Sequence, residues 1–312
     1  MIRLNPLTLR KIRRFRSIRR GYWSFVALIA LYLVSLFGEL FVNKRALLLH
    51  YEGELFLPTY GKQLTGRQFG LDYDYEVDYR ELQKRFEEEQ SGNWLIMPII
   101  PYGPYEMDYA DENATGFSPP SLSSGHLCGT DKTERDVLAR LLYGFRIAMT
   151  FAIGYLALTY LIAIAAGSLM GFLGGKTDMV GLRLVEIWAN VPFLYMVIIL
   201  VSVMPGWWGV GWQVCALLLI MVLFSWTGLT YYVRAAVYKE KSRDYVSAAK
   251  VIGAGPLRII FKHLLPNVIS TLVTFAPFTI AAAISSITAL DFLGYGLPPP
   301  APSWGELLKQ GV

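Results

Sequence analysis

The side chains closest to an acid–base pair are Asp72 and Asp74, in a run with an acid at every second position from 72 to 78. General acid–base work needs two carboxyls in unlike environments aimed at one point. Acids on alternate residues are an ordinary solvated face. His50, His126 and His263 are scattered, and Cys128 and Cys215 fall short of a zinc set or a disulfide framework. The segment GFLGGKTD (171–178) resembles a phosphate loop. Such a loop needs a glycine five residues before its Gly-Lys pair, and Met170 stands there. The segment also leaves an apolar run and does not join a strand to a helix. No catalytic, metal-binding or cofactor-binding residue is assigned.

What remains is recognition, and it centres on Asp244–Asn267. Tyr245, Ala248, Ala249 and Ile252 fall at i, i+3, i+4 and i+7, one face of a helix. Asp244 favours a helix start, and Gly253 and Gly255 interrupt the pattern. Pro256 suits a first turn, after which Leu257, Ile260, Phe261 and Leu264 repeat the spacing until Pro266 closes the unit. A helix lying on lipid headgroups carries bulky side chains on its buried side. Small Ala248 and Ala249 beside Tyr245 suit insertion into a protein groove.

The elements that position this stretch are apolar. Of 312 residues 54% are hydrophobic and 17% charged, with a mean hydropathy of +0.39, the composition of an all-α integral membrane protein. The net charge of +5 matters less than its distribution. Residues 1–20 hold eight Arg/Lys and no acid. This basic arm abuts an apolar run, Tyr22–Val42, of the roughly 20 residues a span needs. We read an uncleaved first span with a cytoplasmic N-terminus.

Asn43–Tyr143 is polar, with seventeen acids against ten bases, and rich in aromatics. That is too aromatic for a disordered linker, so an irregular α+β extracytoplasmic module is expected. Its acidic stretches at 72–78 and 87–89 are a solvated face or a docking surface for a partner or cationic substrate. At its end, Asp131 and Glu134 have the spacing of an N-cap and its reciprocal acid. Val137, Leu138, Leu141, Leu142 and Phe145 then form the apolar stripe of an interfacial helix.

Four further spans are expected near Ile147–Leu173, Leu184–Met204, Val214–Val233 and Asn267–Leu290, five in all. Gly154, Ala157, Ala163, Ala166 and Gly167 allow close helix contact. Glu186 belongs at an interface near Arg183, and Pro192 should kink or break its span. The Pro205–Trp212 turn is tryptophan-rich, as at a membrane boundary. Residues 234–263 carry seven Lys/Arg against Glu240 and Asp244, so basic loops alternate consistently with a cytoplasmic side. Hydroxyls dot the last span; Thr274, Thr279, Ser285 and Ser286 are candidates for a polar path, the alternative being helix–helix contacts.

Ala248, Ala249, Gly253 and Leu265–Pro266 match the "EAA" coupling loop of bacterial ABC-importer permeases, with Ser247 standing where that family has glutamate. The D-Y-V-x-A-A…H-x-L-P-N version resembles the dipeptide/oligopeptide branch. A second signature of that branch is matched by Gly129, Thr130, Asp131, Arg135, Asp136, Val137, Leu138, Arg140, Leu141, Tyr143, Gly144 and Arg146, with Cys128 and Glu134 departing from it. A third resemblance is DFLGYGLPPPAPSWG from Asp291. The long insertion and the R-R-F-R-x-x-R-R-G-Y-W-S start are most similar to the Yej-type branch.

The resemblance implies a type I permease fold with one span more than the five counted here. It divides the chain into residues 1–42, an insertion at 43–143, and a permease core at 144–312 with its coupling loop at 244–266. It implies a non-catalytic subunit in a bacterial inner membrane that forms half of a pore for peptide or microcin C-like substrates. Its partners would be a second permease, ATPases that bind ATP and magnesium, and an extracytoplasmic peptide-binding protein. ATPase coupling would rest on Tyr245, Ala248, Ala249, Gly253, Leu265 and Pro266. Dipeptide, nickel or glutathione permeases are the alternatives within the family, and a membrane enzyme or a scaffold outside it.

Overall fold

The computed structural model describes residues 15–89, 92–108, 117–122 and 124–311, so most of the basic arm lies outside it. The chain divides into two compact units, Met1–Arg146 and Ile147–Val312.

In the first unit, α1 (Arg19–Leu36) is helical with no residue buried. The span expected over 22–42 stops short, because a 3-10 turn follows at Gly38–Leu40 and Val42 bridges to Ile100. A small α+β module comes next. Strand β1 (Leu48–Tyr51) pairs antiparallel with β2 (Glu54–Phe56) and β3 (Trp94–Ile96). Glu52 and Gly53, both at positive φ, turn the β1–β2 hairpin, as a two-residue connection with right-handed strand twist requires. Helix α2 (Tyr79–Glu89) buries Tyr79, Leu82 and Phe86 against Leu49, Phe69 and Leu95.

Helix α3 (Val137–Leu173) is one unbroken helix of 37 residues, so the expected interfacial helix is simply its beginning. Its expected stripe is divided, with Val137, Leu138 and Phe145 half-buried. Leu141 and Leu142 are exposed, whereas Asp136, Ala139 and Arg140 are buried. On a helix entering lipid the apolar face turns outward and ion-paired groups are held inside.

In the second unit α4 (Gly175–Ala189) and α5 (Phe193–Ser202) replace the expected single span at 184–204, meeting at an angle of 70°. Pro192, without an N–H to donate, sits at the break. Helix α6 (Val210–Lys241) and α7 (Asp244–Val251) follow. Then α8 (Pro256–Arg258), a π-helical stretch over Ile259–Leu264 and α9 (Leu265–Leu293) run on continuously. Pro266 therefore does not end a unit but lies in the first turn of α9, and the wide π turn before it gives its ring room. Ser303 caps α10 (Trp304–Gln310) by accepting from the Glu306 N–H at 3.1 Å.

Two apolar clusters hold this unit. One joins Phe151, Ala152, Val197, Leu217, Met221 and Ile287; the other surrounds α7. Gly167 and Gly171 bring α3 onto α6 at backbone distance, the close contact expected of small residues. Three helices, Val137–Leu173, Val210–Lys241 and the Leu272–Leu293 part of α9, are long and apolar enough to cross a membrane; the bent α4–α5 pair makes a fourth if it counts as one span, among the described residues.

Candidate functional site: a docking turn and a buried charge cluster

Helix α7 is seated by one apolar face and tethered through Tyr245. Val246 and Ala249 face inward, in one cluster with Val233 and Val237 of α6 and Leu264 and Val268 beyond the turn. The Tyr245 hydroxyl donates to Glu240 Oε2 at 2.8 Å and accepts from Asn267 Nδ2 at 3.1 Å, so it links the end of α6 to the start of α9. Asn267 also donates to the His263 carbonyl at 3.2 Å, occupying an acceptor in the π turn.

Helix α7 ends in a Schellman motif. Gly253 N–H donates to the Lys250 carbonyl at 2.9 Å and Ala254 N–H to the Ala249 carbonyl at 3.0 Å. Gly253 sits at φ +83°, in the left-handed region that the motif demands and glycine adopts without strain.

The stripe expected at 245, 248, 249 and 252 is divided by this seating. Ala249 is buried in the chain's own core, Ala248 is exposed, and Ile252 is 86% exposed. Leu265 is buried and Pro266 exposed. The second helix divides likewise, with Ile260 and Leu264 inside and Leu257 and Phe261 outside. The π turn resets the helical phase there, bringing Ile259 and Ile260 together into the core. The result is a turn whose tip leaves Val251, Ile252, Leu257 and Phe261 uncovered beside Lys250, Arg258 and Lys262. Val251 went unnoticed in the sequence; its signal was four large apolar residues bracketing two glycines.

The polar-path candidates separate into two pairs. Thr274 and Ser285 lie on the open face of α9, whereas Thr279 and Ser286 are half-buried. Thr279 donates back to the Phe275 carbonyl at 3.2 Å, the local bond usual for a hydroxyl in an apolar helix.

The matched residues from 129 to 146 build a charge cluster that sequence reasoning did not foresee. Asp136, not Asp131, caps α3, accepting from the Ala139 N–H at 2.6 Å. Asp131 instead closes a local turn through Thr133 and the Arg135 N–H. It pairs with Arg135 Nη2 at 2.8 Å and Arg140 Nε at 3.5 Å, all three residues buried. Burial opposes its charge, but the Arg135 guanidinium and Thr133 hold its carboxyl below the usual range. Arg140 Nη1 donates to the Pro104 carbonyl at 3.0 Å.

His126 sits between Asp136 (Nδ1, 2.8 Å) and Asp108 (Nε2, 3.2 Å). Two carboxylates accept only, so both ring nitrogens carry protons. Tyr102 stacks on the ring at 3.9 Å, with the Arg80 guanidinium on that tyrosine at 4.5 Å. Arg80 itself pairs with Glu106 at 2.6 Å and Asp108 at 3.8 Å. Burial alone would lower the His126 pKa; the two carboxylates outweigh it and raise it to about 9. A folded-state pKa above the ordinary value of about 6.5 makes the imidazolium stabilising below that value, a contribution lost as pH rises through about 9. The melting temperature of the purified chain should therefore fall between pH 6.5 and 9.5, and His126→Gln should flatten that slope. A wild-type slope retained in the variant would show that another group titrates.

These features define a helical membrane protein with a supported, apolar-tipped turn. Residues 163–312 match the family model described as the binding-protein-dependent transport system inner membrane component. The chain is 38% identical to the inner membrane ABC transporter permease protein YejE of Escherichia coli over 314 residues, covering all of this chain and 88% of that one. It is 35% identical to the peptidoglycan transport system permease protein YejE of Agrobacterium fabrum, covering 98% of this chain and 84% of the relative. It is 33% identical to the oligopeptide transport system permease protein OppC of Bacillus subtilis, covering 66% and 65%. The chain belongs to the family of inner-membrane permeases of ABC importers, in the branch that holds these relatives. Members of that family work with a second permease, ATPase subunits and a binding protein.

Proposed function

We propose that this chain is the permease subunit of an ATP-driven importer of peptides or microcin C-like substrates, supplying half of the translocation path and no catalytic group. The observation that carries the coupling role is the uncovered apolar tip, Val251, Ile252, Leu257 and Phe261. An exposed apolar patch beside basic groups, on a turn anchored in the chain's own core, has the form of a protein docking site. Its occupant would be an ATPase subunit. Tyr245, Ala249 and Leu265 hold the turn in shape, Ala248 and the tip make the contact, and Gly253 and Pro266 fix the chain's path.

ATP-driven closure of the partners would move the turn and switch the helices between outward-open and inward-open states. Counting α1 and the bent α4–α5 pair gives five spans. The basic arm and the loops rich in Lys/Arg support a cytoplasmic N-terminus, which places residues 43–143 outside. Thr274 and Ser285, on the open face of α9, are the better candidates for the polar path.

Gly253→Val tests the turn. No heavy atom lies within 4 Å of an added Cβ, so the penalty comes from φ alone. A left-handed conformation costs about 1–2 kcal/mol for an L residue, and transport-coupled ATP hydrolysis should fall roughly 5- to 30-fold. Gly253→Asn, tolerated in that region, should lose less. Wild-type uptake by the valine variant at normal membrane level would sink the lever.

A further inference from the structure

We propose that Asp178 and Arg234 form the link that carries movement of the docking turn to the bent α4–α5 pair; this rests on the importer reading above. Arg234 holds Asp178 with both arms of its guanidinium, Nη2 to Oδ2 at 2.6 Å and Nε to Oδ1. Such a fork fixes orientation as well as distance. Its position on α6 gives it a second role. The adjacent Val233 and, one turn on, Val237 are completely buried in the cluster that seats Val246 and Ala249 of the docking helix. One turn of α6 therefore carries α7 through its valines and α4 through its arginine.

Helix α4 is tied to α6 again near its other end. Trp188 Nε1 donates to the Leu223 carbonyl at 2.7 Å, and its ring stacks on Phe224 at 5.7 Å between centroids. With both ends fastened, α4 and α6 move as one body. A displacement entering at the turn then reaches the 70° joint beside Pro192, where α5 begins. The joint can absorb the change in angle because that short connection lies outside both helices. The carboxylate comes from the GGKTD segment, whose glycines turn α3 into α4 at φ +69° and +53°.

The test uses the complete transporter, with its second permease, ATPases and binding protein, in proteoliposomes. Uptake and ATP hydrolysis are measured together with the amount of ATPase that co-purifies. Asp178→Asn and Arg234→Gln should each lower peptide imported per ATP hydrolysed by about tenfold, the order expected for loss of a bidentate charged pair, while ATPase still co-purifies. The exchange variant Asp178→Arg with Arg234→Asp should recover most of that ratio, which a merely space-filling role would not require. If either single variant couples like the wild type, or if the exchange does not restore the ratio, the link is wrong. Failure of the wild-type chain itself to retain an ATPase would instead overturn the importer reading.

Discussion

Asp131→Ala should lower the melting temperature of the purified chain by roughly 10 °C or more. The carboxylate faces Arg135 at 2.8 Å and Arg140 at 3.5 Å, and it also accepts the Thr133 hydroxyl and the Arg135 N–H. Arg140 shows none of its surface and Arg135 only 5%. Removing one partner from a buried ion pair costs about 3–5 kcal/mol, because the opposite charge stays buried with less to compensate it. Asp131→Asn keeps an acceptor and should lose less. Joint replacement of Asp131 by Leu and Arg140 by Met removes the acid together with one of the two cations and should do less harm than Asp131→Ala, since an apolar substitute for a buried pair is often close to neutral. An alanine variant melting within about 1 °C of the wild type would mean that the cluster contributes orientation and not stability.

The parts of this molecule legible in the sequence are those with a local cause. Apolar runs declared the long helices, and Pro192 declared the break in 184–204. Gly253 declared the end of α7, because one residue in the left-handed region suffices to close a Schellman motif. Arg183 and Glu186, three apart on one helix, do pair, at 2.7 Å. What stayed hidden depends on phase or on distance along the chain. The π turn at Ile259–Leu264 sends Leu257 and Phe261 outward while Ile260 and Leu264 stay inside, and a fixed period of 3.6 cannot foresee such a reset. Asp131 and Glu134 had the spacing of a cap. The choice fell to Asp136 because Asp131 is drawn into pairing with Arg135 and Arg140, while Asp136 accepts His126 from ten residues back. The divided stripe at the start of α3 has the same origin: hydropathy marks which residues are apolar, not whether lipid or protein surrounds them.

The α3–α6 contact behind the coupling turn of α6 makes its own prediction. Gly167→Leu should abolish the ordered packing of α3 on α6 and with it most of the assembled transporter. A Cβ at position 167 would stand 2.7 Å from Val233 Cβ and 2.9 Å from the Thr230 carbonyl oxygen, and one at Gly171 would stand 2.7 Å from the Arg234 carbonyl. A β-branched neighbour and a helix backbone cannot swing aside as a flexible side-chain end can. The helices must separate, forfeiting contacts on which association in lipid relies. Overpacking of this kind costs about 1–3 kcal/mol or more. Here it falls on the turn of α6 that holds Val233, Arg234 and Val237. Detergent-purified Gly167→Leu should melt several degrees below the wild type, and it should retain ATPase at a level reduced by about tenfold. Gly228→Leu is the control on the facing helix α6, where nothing lies within 4 Å of an added Cβ. That variant should assemble normally. Equal loss in both would point to a general penalty for a bulky side chain in either helix, whereas loss confined to position 167 assigns the effect to the α3–α6 contact and to the seat of the docking turn that it supports.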